Sequence, residues 1–247
     1  MGALESFGHG MGAPWRGLRL IAANRPLWPL AAAPALITGG LLIGAFFLAI
    51  TSAAPATRWL APGLARWWIL FLLARSAMLL LLLLLFGALS MMLSALLCLP
   101  IHDALSQRVE VLRDALPAPL SFREALPISI AHSVLGFALW SACEVALMPL
   151  QLIPGIGSIL ELILGFGVTA FFLGHQLVDG PMSRRSLSFS AKMEWLKAHL
   201  ASVLGLGSMG TLMIAVPLLN AIGLPIAIAG GTLLFLDLEG DGGPGAS

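Results

Sequence analysis

The chain has 247 residues, of which 59% are apolar and only 10% charged, with a net charge of +1. Ordinary soluble domains run at roughly 45–50% apolar and about 25% charged. Two Lys, eleven Arg, five Asp and seven Glu cannot cover a soluble surface of this size, and the same numbers exclude a disordered chain. No basic stripe of useful length exists, so nucleic acid is not an expected partner. What remains is an all-α integral membrane protein with the lipid bilayer as its first partner. Cys98 and Cys143 both lie in apolar runs and read as small buried hydrophobes rather than a disulfide framework.

Crossing a hydrocarbon core of about 30 Å takes roughly 20 helical residues. The N-terminal stretch carries Arg16, Arg19 and Arg25, and Trp15–Ala23 reads as a short interfacial helix. Pro26–Thr57 then runs 32 residues without a charge. That is too long for the apolar core of a cleaved signal peptide, and it predicts a spanning helix over Leu30–Ile50. Trp59, Trp67 and Trp68 suit a headgroup-level connection. Ser76–Ile101, with seven consecutive Leu at 79–85, predicts a second spanning helix.

The stripe Ile101, Leu105, Val109, Leu112, Leu116 predicts a separate interfacial helix, with His102, Asp103, Arg108 and Glu110 on its solvated side. Ser121-Phe-Arg-Glu124 has the form of a capping box. A hairpin follows, because Ile153-Pro154-Gly155-Ile156-Gly157-Ser158 interrupts apolar sequence with turn chemistry. Phe189, Met193, Leu196 and Leu200 predict another interfacial helix, with Lys192, Glu194 and Lys197 between them. Leu200–Leu236 is charge-free for 37 residues. As one helix it would be about 55 Å long. Pro217-Leu-Leu-Asn220 and Gly223-Leu-Pro225 are expected to break it into two pieces of about 25 Å each. Either the bilayer thins there or the hairpin enters and returns.

A weak repeat relates the two hairpins. Leu120-Ser121-Phe122 precedes the first and Leu187-Ser188-Phe189 the second, and acidic sequence closes each at Asp179 and Asp237. With the N-terminus inside, ten Arg and Lys fall on the cytoplasmic side against two, Arg58 and Arg66, on the other. Both termini are therefore expected in the cytoplasm.

Few residues could carry chemistry. Glu144 and Glu161 are carboxylates within apolar segments, at a cost of about 2.5–3.5 kcal/mol each on insertion scales. They read either as proton or cation sites or gates lining a pathway, or as carboxylates hydrogen-bonded within a bundle or lying near headgroups. If ionised along a path they would repel an anion. Gly155, Gly157 and Ser158 open a helix, where free N–H groups favour anions, although a plain turn needs the same residues. His132 and His175 read as relays or as interhelical hydrogen bonds, Arg184-Arg185 as membrane-side anchors or anion contacts, and Asp179 as a pin or a pathway residue. Ser158 with a histidine base would be a weak hydrolase signal, and no enzyme is expected. The chain shows no metal-ligand spacing and no phosphate-binding loop, so no cofactor is expected.

Four stretches together carry a family resemblance: Leu99-Pro100 running to Arg108-Val109-Glu110; Ile153-Pro154-Gly155-Ile156-Gly157; Leu177-Val-Asp179-Gly-Pro181 with Leu187-Ser-Phe189; and Val216-Pro217-Leu-Leu-Asn220 followed by Ala227-Ile-Ala-Gly230-Gly-Thr232. Their order and spacing over about 30–238 resemble the CysZ-type sulfate transporters and the wider etoposide-induced-protein-like group. The resemblance implies two long spanning helices plus two hairpins that penetrate only partway. It also implies a homo-oligomer and passage of a small, sulfate-like anion through the bacterial inner membrane. In that family a Gly-hydrophobic-Arg-Arg stretch before the first spanning helix binds sulfate. The matching positions here read Pro26-Leu27-Trp28-Pro29, with Arg25 just ahead. Arg25 is thus the candidate oxyanion contact, since a guanidinium donates bidentately. The expected organisation is an N-terminal interfacial segment (1–25), one membrane domain (26–238) with hairpin units 120–179 and 187–237, and a flexible tail (239–247).

Overall fold

The computed structural model describes residues 2–115, 136–215 and 217–240, and all regular structure among them is helical. The capping box at Ser121–Glu124, the first copy of the repeat, His132, Val216 and the tail beyond 240 lie outside the described residues.

Helix α1 spans Ala3–Ala23 and ends at Asn24, whose side-chain amide donates to Leu20 O at 2.8 Å. Pro26 sets a short 3-10 turn, Arg25–Leu27, where its missing N–H costs little. The Trp28 indole donates back to Ile21 O at 3.0 Å and fixes the start of α2. Helix α2 runs Trp28–Leu60, longer than the predicted Leu30–Ile50, and continues through Pro55 at its far end. The turn Pro62–Arg66 follows, flanked by exposed Trp59, Trp67 and Trp68.

Helix α3 spans Trp68–Val111, 44 residues passing through Pro100. This corrects the expectation of a spanning helix followed by a separate interfacial one. Pro100 removes one backbone hydrogen bond, yet stopping the helix in a low-dielectric medium would orphan several. The stripe survives as the last turns of α3, with Leu105 and Val109 wholly buried but Leu112 exposed.

Helix α4 is described over Gly136–Leu152, its last turn wound as 3-10 from Met148. The predicted apex is present. Gly155 takes φ +84°, a left-handed conformation that glycine tolerates. Helix α5, Gly157–Arg184, starts immediately after it and continues past Asp179 through Pro181. Helix α6, Phe189–Ala198, is capped by Ser188 Oγ accepting from Ala191 N. An 89° bend at His199 leads into α7, Leu200–Ala215. Helix α8 spans Pro217–Gly240 through Pro225. The final run is therefore divided between two helices, α7 and α8, as expected. Gly223 and Pro225, expected to belong to the break between them, lie instead inside α8, which buries Ile226, Ala227 and Ala229 beside them.

The chain forms two compact units. The larger comprises Met1–Ala31 with His102–Ser247, and the smaller comprises Ala32–Ile101. In the larger unit helix backbones meet at glycines. A methyl group at Gly207 would sit 1.7 Å from Ala170 O, one at Gly10 1.9 Å from Ser202 O, and one at Gly17 2.5 Å from Ile226 O. These seams draw α1, α5, α7 and α8 around a core containing Leu177, Val178, Met182, Leu196, Leu206 and Phe235. In the smaller unit Ala45, Ala49 and Ala53 are buried at four-residue spacing on α2. Thr38 Oγ1 and Ser94 Oγ meet at 2.5 Å, and Ser90 Oγ donates to Leu41 O at 3.3 Å. Most of its leucines and phenylalanines point outward. The arginine of its turn end, Arg58, lies 5.9 Å from the Phe71 ring.

Candidate functional site

The residues singled out from sequence are spread along the molecule. Arg25 sits in the α1–α2 turn, exposed and with no acidic partner among the described residues. Gly155, Gly157 and Ser158 form the apex and the first turn of α5. Gly157 packs so closely that a methyl group there would lie 2.0 Å from Leu150 O. Its N–H donates to Ile153 O at 3.0 Å, so that donor is already engaged in the turn. Asp179 lies 21 residues further along the same helix, about 30 Å from Ser158. By the same count Ser158 and His175 stand about 25 Å apart on one helix, so His175 does not serve Ser158 as a base; His132 lies outside the described residues.

Glu144 and Glu161 belong to facing sides of one hairpin. Glu144 Oε1 accepts from Thr169 Oγ1 at 3.0 Å, and Thr169 Oγ1 accepts from Trp140 Nε1 at 3.2 Å. Nearer the apex, Gln151 Nε2 donates to Glu161 Oε1 at 2.8 Å. Neither carboxylate has a cationic partner among the described residues. Asp179 differs: Lys192 Nζ donates to Asp179 Oδ1 at 2.6 Å and to Ser183 Oγ at 2.8 Å. Lys192 is almost fully buried. Its expected place on the solvated face of α6 is therefore corrected. The buried ion pair pins α6 to α5.

The largest charged constellation was not legible in the sequence as a site. Glu110 is completely buried. Arg184 Nε donates to its Oε2 at 2.5 Å and Arg185 Nη1 to its Oε1 at 2.6 Å. Arg184 also reaches Asp103 at 2.6 Å and Ser106 at 2.6 Å, while Arg185 pairs with Glu239 at 2.8 Å and stacks 4.8 Å from the Phe235 ring. Ser106 bonds Thr232 at 2.8 Å. Three helices, α3, α5 and α8, are thereby tied at one end. Glu110 is no solvated-face residue, as its stripe had suggested. Helical periodicity shows which face of α3 it occupies, but the two arginines lie more than 70 residues away in sequence. Their adjacency to each other was the only available signal. A similar pair, Arg16 with Asp237, joins α1 to α8.

Between α4, α5 and α7 lies a cavity of about 410 Å³, open on one side. Its walls include Phe137, Trp140, Phe172 and Ile214, and its polar groups are Thr169, His175, Gln176, Asp179 and Thr211. The Thr211 hydroxyl is buried with no partner among the described residues.

Comparison with known proteins agrees with this architecture. Residues 13–225 match the family model described as Sulfate transporter CysZ/Etoposide-induced protein 2.4. A protein of Pseudomonas paraeruginosa named Sulfate transporter CysZ is 28% identical over 157 residues, covering 61% of this chain and 63% of its own. One of the same name from Pectobacterium atrosepticum is 26% identical over 156 residues, covering 62% of this chain and 57% of its own. The match thus spans less than two thirds of each relative's length. The long apolar helices, the Pro-Gly apex and the match over most of the chain lead to one conclusion: this chain belongs to the EI24/CysZ family of membrane proteins.

Proposed function

We propose that this protein is a multi-pass permease or channel of the bacterial inner membrane that passes a small, sulfate-like anion, working as a homo-oligomer with both termini in the cytoplasm. The observation that carries this reading is the family match over residues 13–225, together with relatives named as sulfate transporters. Four helices of this chain are long and apolar enough to cross a membrane, and a broken pair could add a fifth span.

Arg25 is the proposed first contact for the anion. It is exposed, lacks an acidic partner among the described residues, and is the first residue of the first candidate span. Pro26 and Pro29 offer no N–H, so the guanidinium supplies the donors there. Ser158, at the start of α5, is the proposed contact at the apex, with Gly155 and Gly157 shaping the turn. Glu144 and Glu161 are the proposed pathway groups, and Asp179 acts through its hold on Lys192.

The test is uptake of radiolabelled sulfate, with chloride as comparison, into liposomes carrying the purified chain. Sulfate-selective uptake that falls about tenfold in Arg25→Ala supports the reading; a loss near 1.4 kcal/mol of binding corresponds to that factor. Chloride flux alone would keep the channel and discard sulfate. No flux from a correctly folded oligomer would move the protein to a non-transport role within the family.

A further inference from the structure

Between Ala32 and Ile101, the extent of the smaller unit, the sequence has three charged residues, Arg58, Arg66 and Arg75, and no Asp, Glu, Lys or His. All three gather at the turn end of the α2–α3 hairpin. Arg58 lies in the last turn of α2, and Arg66 closes the turn Pro62–Arg66. Arg75 stands seven residues past Trp68, about 10 Å along α3. The Arg58 guanidinium rests 5.9 Å from the Phe71 ring. Phe71 and Arg75 are four residues apart on α3 and so share a face, which brings Arg58 and Arg75 to one side of the hairpin. Each of the three arginines is exposed, and none has a hydrogen bond or ion pair among the described residues. Arg16, Arg184 and Arg185 of the larger unit, by contrast, each hold a carboxylate.

The setting of these three charges selects their counter-ion. Trp59, Trp67 and Trp68 surround the same end and are 82%, 67% and 75% exposed. Exposed indoles favour the headgroup level of a bilayer. Past them on α3, Ile69, Leu70, Leu72 and Leu73 are exposed and apolar, so this flank faces hydrocarbon. An arginine on such a flank extends its apolar stem toward the interface and delivers its guanidinium there. At that level the abundant anion is the lipid phosphodiester, and a guanidinium fork matches two phosphate oxygens.

We propose that the turn end of the smaller unit is a docking site for an anionic phospholipid, whose phosphate is drawn by Arg58, Arg66 and Arg75 at a depth set by the three tryptophans. Three positive charges without a carboxylate in the unit favour a lipid of net negative charge over a zwitterionic one. The site is separate from Arg25 and does not depend on which ion the protein passes, so absence of sulfate flux would leave it standing.

Local fluorescence quenching tests it. The full chain carries Cys98→Ala, Cys143→Ala and Gly63→Cys, with bimane attached at position 63. Gly63 lies in the turn, exposed and with open space around it. The protein is reconstituted in phosphatidylcholine vesicles doped with phosphatidylglycerol or phosphatidylcholine that bears a nitroxide near the headgroup end of one acyl chain. Phosphatidylglycerol is expected to reach half-quenching at a mole fraction lower by a factor of at least about five, the contribution of a single arginine near the surface. Combined Arg58→Gln, Arg66→Gln and Arg75→Gln should bring the two lipids level. Arg108→Gln with Arg113→Gln, both exposed in the larger unit, should leave the gap as it was. Equal quenching by the two lipids in the parent would overturn the proposal, as would a gap that survives the triple substitution. Loss of the gap on adding inorganic phosphate at constant ionic strength would assign the site to a soluble oxyanion and overturn the lipid equally. Every variant must elute as one monodisperse peak. Where the triple variant does not, Arg66→Gln alone should narrow the gap at least about twofold, and an unchanged gap there counts against the proposal in the same way.

Discussion

The two compact units use the same amino acids to opposite ends. In the larger unit glycine marks where backbones touch: Gly10, Gly17, Gly174, Gly205, Gly207 and Gly230 each have a foreign backbone atom within 2.5 Å of where a methyl group would stand. In the smaller unit Gly39, Gly40, Gly44 and Gly87 have nothing within 4 Å. There the buried positions are alanines, two hydroxyls, Pro34 and Cys98, and leucine covers the outside. In lipid, apolar side chains gain little by leaving hydrocarbon for protein, so helices associate through close backbone approach and polar contacts. The larger unit has both devices in abundance, and the smaller has a short hydroxyl seam and an apolar exterior. Composition alone does not distinguish them, since both are rich in Gly, Ala and Leu.

The strongest way to break this contrast is at the charged tie of the larger unit. Glu110→Ala leaves Arg184 and Arg185 buried without their shared carboxylate, and removal of one partner from such a group costs about 3–5 kcal/mol. Loss of the folded, monodisperse protein in mild detergent is expected. Retention of the parent melting temperature would show that the tie is not a structural constraint.

Next comes the paired glycine test. Gly207→Val forces α7 away from Ala170 and should cost about 1–3 kcal/mol or more. Gly87→Ala in the smaller unit should be neutral, or stabilising by up to about 1 kcal/mol, because alanine is the better helix former. Equal effects at the two positions would dissolve the comparison.

The hydroxyl seam of the smaller unit is worth less. Ser94→Ala removes its bond to Thr38 and should cost about 0.6 kcal/mol, the average for hydrogen bonds between membrane helices. The smallest effect belongs to the apex, where Gln151→Ala breaks an exposed contact to Glu161. A change within about 0.5 kcal/mol is expected in unfolding by a graded denaturant; a larger one would place that contact among the structural ties of the bundle.

Much of the fold was legible from charge-free runs and turn chemistry. The apex at Ile153–Ser158 falls where Pro154 and Gly155 placed it, and Ser188 caps α6 as a polar residue before an amphipathic run should. The lengths of α2, α3 and α8 were not legible. Pro225 read as part of a break, yet it lies inside a helix, as Pro34, Pro55 and Pro100 do. A proline's local cost is fixed by its ring, whereas the cost of ending a helix depends on whether anything else can satisfy the freed backbone groups.

Of the candidate site residues, Glu144, Glu161 and Asp179 were visible because a carboxylate is conspicuous in apolar sequence. Glu110 escaped because it sits in a stretch that is charged on one face, where a solvated carboxylate is the commoner reading. Its burial comes from Arg184 and Arg185 arriving from another helix.

By itself, the sequence determined that this chain is helical and belongs in a bilayer, where its one clear turn lies, and which residues are too costly to be incidental. These follow from local properties: hydropathy summed over about twenty residues, the ring of proline, the freedom of glycine. Tertiary structure alone decided which glycines are contacts, which prolines are tolerated, and which charges find partners. Each of those depends on what a second helix, distant in sequence, brings within hydrogen-bonding or van der Waals reach.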